Sequence, residues 1–336
     1  MIEEKQIVAN KLGISVVIPN YNGKTLLEEN LPSLYEALNY SKIRFEIIIA
    51  DDASKDDSIN FIENHYPEII IIKNNINRGF SSNINSGIFQ AKLDYVFLLN
   101  SDVKLTPSYF GELLQYFNAS NTFGVMGRII GYDNDEIQDA AKQKENTVLK
   151  ISANSNIVPL NPDQLFFPTF FLSGANALVC RKKLFLLQGF DEIYSPFYGE
   201  DLDLSIRAWR LGWKCYYHHN AICRHPSSVT INKYHKKKKI KIIVYRNRLL
   251  LHAIHLNKNR LKYWNIWVII QLVAHSLLLR FEFIKAFFLY LKLKDKVKES
   301  IQRIKHLGDA QNNLHTVEDI ISLINKEQIN SKFKKL

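Results

Sequence analysis

Asp94-Tyr95-Val96-Phe97-Leu98-Leu99 is an apolar run of strand type that stops at Asn100 and Asp102, two polar residues either side of Ser101. In open α/β sheets ligands gather at the carboxyl ends of the strands, where an acid such as Asp102 can hold a cation or a metal bound to phosphate. An Asn-x-Asp turn or helix cap has the same composition, so the pattern alone leaves both uses open. Similar polar groups recur along the chain. Asp51-Asp52-Ala53-Ser54 ends the run Phe45–Ala50, Asn77-Arg78-Gly79-Phe80 follows Ile69–Lys73, and Glu200, Asp201 and Asp203 open a helix after Tyr198-Gly199. Acids in a first helical turn also complement the helix dipole, which leaves two uses open for that trio. His225 closes the series behind a strand-like piece.

These residues need elements to hold them. Ile14–Ile18 is a β-branched strand that ends in the turn residues Pro19-Asn20-Tyr21-Asn22-Gly23. Leu26, Leu27, Leu31, Leu34 and Leu38 have helical spacing, and Pro32 is expected to kink or restart that helix. Strand, helix and strand in alternation predict a parallel sheet with right-handed crossovers. Further helices are expected over Asp57–Asn64, Ser81–Ala91 and Pro107–Asn118. Gly124–Ile130 is apolar, and the Asn- and Asp-rich interval to Asn161 reads as loops or a hairpin. Phe170–Cys180 reads as a strand interrupted by small residues, where Gly174 permits close approach of a ligand or backbone. Leu204–Leu211 is helical up to Gly212, and Lys214–Tyr217 and Ala221–Arg224 are two strand-like pieces.

The chain has 336 residues, 46% hydrophobic and 12% aromatic, which is a globular composition long enough for two domains. Cys180, Cys215 and Cys223 are odd in number and form no CxxC pair, which argues against a disulfide framework or a cysteine zinc site. The start Met1–Gln6 is polar and partly acidic, unlike a secretory leader, so a cytosolic location is expected. The net charge of +11 is uneven. Residues 1–232 carry 21 Lys and Arg against 26 Asp and Glu, while residues 233–336 carry 23 against 7. The expected division is therefore a catalytic domain, 1–232, and a basic helical region, 233–336, that meets a polyanionic surface.

Lys236-Lys237-Lys238-Lys239 and Arg246-Asn247-Arg248 precede an aromatic and aliphatic span, Tyr263–Leu291. Its longest uncharged piece, Tyr263–Leu279, is shorter than the roughly 20 residues of a spanning helix. Trp264 and Trp267, flanked by Arg260, Lys262, Arg280 and Lys285, fit a helix lying in the interface of an anionic membrane. A helical subdomain packed on the sheet fits the same residues. Residues 292–336 read as polar, Lys-rich amphipathic helix.

Taken in order, these pieces resemble one family, the GT-A fold family 2 glycosyltransferases, especially the bacterial enzymes that transfer rhamnose and related sugars in polysaccharide assembly. The resemblance covers about residues 13–230: Val17–Gly23, Asp51–Ser54, Asn77–Phe80 with Asn85 and Gly87, Asn100–Asp102, Ser173-Gly174-Ala175, Gly189–Glu192, Gly199–Leu204 and His225. It implies an α/β, Rossmann-like and mostly parallel sheet with flanking helices, beside the helical, membrane-associated region. It also implies an inverting, single-displacement transfer from a UDP- or dTDP-sugar to a hydroxyl of a saccharide or lipid-linked saccharide.

On this resemblance Asp201 is the general base, with Glu200 and Asp203 beside it. Asp102 is a ligand of Mn²⁺ or Mg²⁺, and His225 joins the metal or the diphosphate. Asp52 accepts the N–H of uracil or thymine in a pocket shaped by Pro19, Asn20, Tyr21 and Asn22, and Asp51 buttresses the loop. Asn100, Ser101, Gly174, Arg78 and Asn85 complete the donor site, Arg207 pairs with phosphate or a neighbouring acid, and Asn100 stands where the family often has a first aspartate. The expected location is cytoplasmic, peripheral on the inner face of the cell membrane. A metal-dependent nucleotidyltransferase would share strand-end acids, but the first strand lacks a Gly-rich, Lys-bearing phosphate loop. Nucleic acid is not an expected partner, because no aromatic platform interleaves the Lys236–Lys239 run.

Overall fold

The computed structural model describes residues 12–143, 150–153, 155–226, 236–328 and 331–336. Met1–Gln6, part of the polar interval before Asn161 and the first residues of the basic region lie outside the described residues. A ten-stranded mixed sheet forms the frame, with its main path in the order β10-β12-β6-β11-β4-β1-β2-β3. Strands β1 (Gly13–Asn20), β2 (Arg44–Asp51), β3 (Ile70–Lys73) and β4 (Tyr95–Leu99) are mutually parallel. They are linked by helices α1 (Lys24–Ser41), α2 (Ser58–His65) and α3 (Phe80–Ile88). Parallel strands inside a sheet are covered on both faces, which is why β1 and β4 read as mostly apolar runs. Val16, Val17, Ile48, Ile49 and Phe97 are fully buried, each contributing about 1.5–3 kcal/mol of apolar burial.

Direction decides which ends meet. Strand β11 (Asn176–Cys180) runs antiparallel to both β4 and β6 (Thr122–Gly131), and β12 (Lys214–His225) runs parallel to β6. The carboxyl ends of β1, β2, β4 and β12 and the amino end of β11 therefore share one edge of the sheet. Short strands β5 (Lys104–Leu105), β7 (Ile137–Asp139) and β10 (Phe167–Pro168) pair with β12, β6 and β12. A second sheet joins β8 (Ala141–Gln143), β9 (Ser155–Pro159) and β13 (Phe333–Lys335), so the polar interval contains the expected hairpin-like pairing of β8 with β9.

Several expectations need correction. Helix α1 continues through Pro32 instead of restarting, and Pro107–Asn118 yields only a 3₁₀ turn over Leu113–Asn118. Phe170–Ala175 is not strand; pairing begins only at Asn176, where β11 comes between β4 and β6. Lys214–Arg224 is one strand, with irregular register between Tyr217 and Ile222 that hides its continuity.

Helix α4 (Arg181–Leu186) and helix α5 (Glu200–Arg210) precede β12. Beyond it come α6 (Lys237–His255), α7 (Lys258–Leu277), α8 (Phe281–Leu291), α9 (Lys294–Gln311) and α10 (Val317–Gln328). The described residues of 292–336 are helical as expected over α9 and α10, with the short strand β13 added near the end. Leu249, Leu250, Ile254, Trp264, Ile304 and Ile320 belong to the same buried cluster as Val17 and Ile48 of the sheet. The change of charge near residue 232 is therefore not a gap in packing. Trp264 is buried, with His252 and Trp267 stacked on it at 3.7 and 4.6 Å, so it faces the protein and not a membrane interface. No helix among the described residues is long and apolar enough to cross a membrane.

Candidate active site

At the shared edge, Asn100 N–H donates to Ala175 O at 3.2 Å, which brings the β4 turn against the loop before β11. Asp102 is buried, and His225 from the end of β12 places Nε2 3.3 Å from its Oδ1. That oxygen has no hydrogen-bond partner, an arrangement that leaves it available to a cation. Among the described residues no group of three His, Cys, Asp or Glu could cage a metal. Asp102 and His225 bring one carboxylate and one imidazole together, donor types that divalent ions accept.

The β1 and β2 turns are knitted together. Asn20 Nδ2 donates to Asp51 Oδ1, Ser58 Oγ and Ser54 Oγ at 2.8, 3.0 and 3.2 Å. Asn22 N–H donates to Ser54 Oγ at 2.8 Å, and Asn22 Oδ1 accepts from Lys55 N–H at 2.6 Å. Asp51 also accepts from Ser54 N–H at 3.0 Å, the buttress that the turn requires. The Asn20 amide nitrogen is therefore committed to the loop, while its Oδ1 is buried without a hydrogen-bond partner. Pro19, Tyr21 and Ser101 are partly exposed around this turn.

Asp52 is buried, with Oδ1 accepting from Arg78 N–H at 3.0 Å and Oδ2 from Gly79 N–H at 2.9 Å. Burial raises its pKa, and the two N–H groups offset part of the rise. Gly79 has φ +88°, and a Cβ there would lie 2.6 Å from Pro196 Cα, so only glycine lets the loop pass. The Arg78 side chain is exposed. Asn85 is buried, donates to Phe190 O and accepts from Phe190 N–H, both at 2.9 Å. Its amide staples α3 to the loop ahead of the acids, because both ends of the amide are satisfied by backbone.

Helix α5 brings three acids with three different fates. Asp203 is fully buried; burial alone would raise it, but Arg207 and His255 outweigh that and hold it at about 2. Arg207 Nε lies 2.6 Å from Asp203 Oδ2, and His255 Nε2 and Tyr194 Oη lie 2.8 and 3.1 Å from Oδ1. Arg207 also donates to Leu187 O and Gly189 O, so it serves the protein interior. Asp201 and Glu200 lack such partners: Asp201 Oδ1 and Glu200 Oε2 are buried without a hydrogen bond. Burial raises both pKa values, Asp201 to about 7 and Glu200 to about 8, and the Asp201 charge adds to the rise of Glu200. A Cβ on Gly174 would come 2.6 Å from Asp201 Oδ1, so the glycine makes room for that carboxyl.

One acid escaped the sequence reading. Asp139, on β7, pairs with Lys142 at 2.7 Å. Its charge raises Asp201 and is itself eased by His225, so it lies within electrostatic reach of both. It lacks a motif because a three-residue edge strand carries no periodicity.

The model of "Glycosyl transferase family 2" matches residues 15–185. The chain is 27% identical over 240 residues to the chondroitin synthase of Escherichia coli, covering 63% of this chain and 34% of that protein. It is 25% identical over 227 residues to the N-acetylglucosaminyl-diphospho-decaprenol L-rhamnosyltransferase of Mycobacterium tuberculosis, covering 61% and 73%. The chain thus spans about a third of the first of these relatives. Among solved structures, GalNAc-T7 with UDP, GalNAc and Mn²⁺ has a TM-score of 0.64 at 15% identity, covering 96% of this chain and 58% of that one. S. aureus TarS 1–349 with UDP-GlcNAc has a TM-score of 0.52 at 14% identity, covering 95% and 92%. At such identities the likeness establishes the fold.

Proposed function

The chain belongs to glycosyl transferase family 2, and from that premise we propose that it moves a sugar from a UDP- or dTDP-sugar to a hydroxyl of a saccharide or lipid-linked saccharide, with inversion. The product serves cell-surface polysaccharide synthesis, at the inner face of the cell membrane. The names of the relatives support this reading: one is a chondroitin synthase and another a rhamnosyltransferase whose name includes a diphospho-decaprenol. The observation that carries it is Asp201, whose Oδ1 is buried and unpartnered beside Gly174 at the edge where Asp102 and His225 converge.

An acceptor hydroxyl is a poor nucleophile until a base takes its proton. Asp201 titrates near neutral pH, where a base is both ionised and basic enough to accept that proton. As the proton passes to Asp201, the acceptor oxygen bonds to the anomeric carbon and the bond from that carbon to the nucleoside diphosphate breaks on the opposite face. Asp102 and His225 would hold the divalent cation, Mn²⁺ or Mg²⁺, and when bound it neutralises charge growing on the diphosphate. Asp52 accepts two backbone N–H bonds and keeps lone pairs that would accept a pyrimidine N–H, with Pro19, Tyr21 and Asn22 shaping the base pocket. Arg78, Asn100, Ser101 and Glu200 complete the donor side.

Thermal unfolding with UDP-, dTDP- and GDP-sugars, with and without Mn²⁺, tests the reading, since a ligand that binds the native state raises Tm by mass action. A UDP- or dTDP-sugar should raise Tm, more so with Mn²⁺, and Asp102→Ala should abolish the Mn²⁺ increment. No shift with any sugar nucleotide would overturn the proposal.

A further inference from the structure

Helices α7 and α8 form a hairpin that leaves much apolar surface in water. Ile266, Ile269, Ile270, Val273 and Leu277 recur at helical spacing along α7, and each is more than half exposed. The tip continues the face, with Leu277 79% and Leu279 73% exposed and Leu278 and Phe281 both above half. Soluble surfaces seldom carry so many adjoining aliphatic groups without a partner. The buried side of the same hairpin is already satisfied: Trp264 stacks on His252, and Phe283 packs against Tyr245 and His275 at 5.3 and 5.0 Å. The outer face is therefore surplus to the fold.

Charge identifies what covers it. The contact of Tyr245 with Phe283 sets the first half of α6 beside α8, Lys241 Nζ lies 5.8 Å over the Tyr245 ring, and Lys238 and Lys241 act on Glu282 at the start of α8. Lys236–Lys239, Lys241, Arg280 and Lys285 are all exposed. Glu282 is the acid within this rim, its carboxyl held below the usual range by its own backbone N–H and then by the nearby Lys241 and Lys238. Aliphatic side chains ringed by lysine and arginine suit acyl chains beneath anionic headgroups. A second copy of the chain fits worse, because a two-fold contact through this face would set one basic rim against the other.

We propose that the α7–α8 tip inserts into the facing leaflet of an anionic bilayer, with the first turns of α6 resting on its headgroups. Insertion is shallow, since neither helix is long and apolar enough to cross. The proposal deepens the reading of a membrane-bound acceptor and rests on it for its purpose, though not for its chemistry.

Co-sedimentation with vesicles of phosphatidylcholine and phosphatidylglycerol, 3:1, tests it with the full chain. Wild type should pellet with these vesicles and not with pure phosphatidylcholine. Leu278→Glu/Leu279→Glu should reduce binding at least about tenfold, because charged side chains do not enter the acyl layer. Lys237→Glu/Lys238→Glu/Lys241→Glu should weaken binding and remove its salt dependence. Both variants change exposed positions, so an unaltered Tm and an unaltered Tm rise with donor would show that fold and donor site survive. Absence of wild-type binding, equal binding by the leucine variant, or a dimer that this variant dissolves without vesicles would each overturn the proposal. A donor-induced Tm rise without vesicle binding refutes the membrane surface alone, and vesicle binding without that rise refutes the transferase reading alone.

Discussion

Asp201 and Asp203 stand two positions apart and do opposite things because their neighbours differ. Asp203 has a guanidinium, an imidazole and a phenol, so it is ionised and structural, whereas Asp201 has an oxygen with no partner and is raised to about 7. Asp201→Asn should lower transfer by roughly 10²–10⁴-fold while the donor-induced Tm rise remains. Wild-type transfer should rise with pH through about 7 as Asp201 ionises, and a rate flat from pH 5 to 8 would remove it as the base. Glu200 has a stability signature of its own. Its folded pKa is raised from 4.5 to about 8, so its contribution is full below 4.5 and is lost as pH rises through 8. Glu200→Gln should therefore stabilise the fold by about 1–3 kcal/mol at pH 8 and hardly at pH 4, measured by urea unfolding at both.

At the scale of elements, α6 acts as a clamp. Asn247 Nδ2 donates to Tyr194 O, Phe197 O and Tyr198 O at 2.8, 3.0 and 2.6 Å, and Arg246 donates to Tyr194 O and Ser195 O. The loop so held leads into the acids of α5, and its Pro196 O accepts from Phe80 N–H at 2.9 Å beside the Asp52 contact. Asn247→Ala should cost about 2–4 kcal/mol and lower kcat. Asn247→Asp, though equal in size, should be worse, because a carboxylate presents acceptors to three carbonyls; denaturant midpoints in the reverse order would show that the clamp is not hydrogen-bonded. Strand ends were legible in the sequence because buried parallel strands are mostly apolar runs that stop at polar turns. The clamp was not, since an Asn between two arginines looks like solvated helix until its partner loop is known. Trp264 misled for a related reason: aromatic and basic residues on a helix are alike in sequence whichever side the protein covers.

Among the described residues the basic helices share a buried cluster with the sheet and complete its core. A chain ending at residue 232 would lose Leu249, Leu250 and Ile254 from the shared cluster and strip His255 from Asp203. Losing a hydrogen bond to a buried charge costs about 1.5–3 kcal/mol and the lost core contacts add to it, so this truncation should be insoluble or unfolded by circular dichroism. A folded, donor-binding 1–232 fragment would refute that. The same pairing orders events during synthesis. Asp203 leaves the ribosome 52 residues ahead of His255, a delay of about 3–10 s at 5–20 residues per second. Through that interval the nascent chain holds Asp203 without His255 and the loop before α5 without its clamp, so the acidic edge is fixed only after the chain has extended well beyond His225.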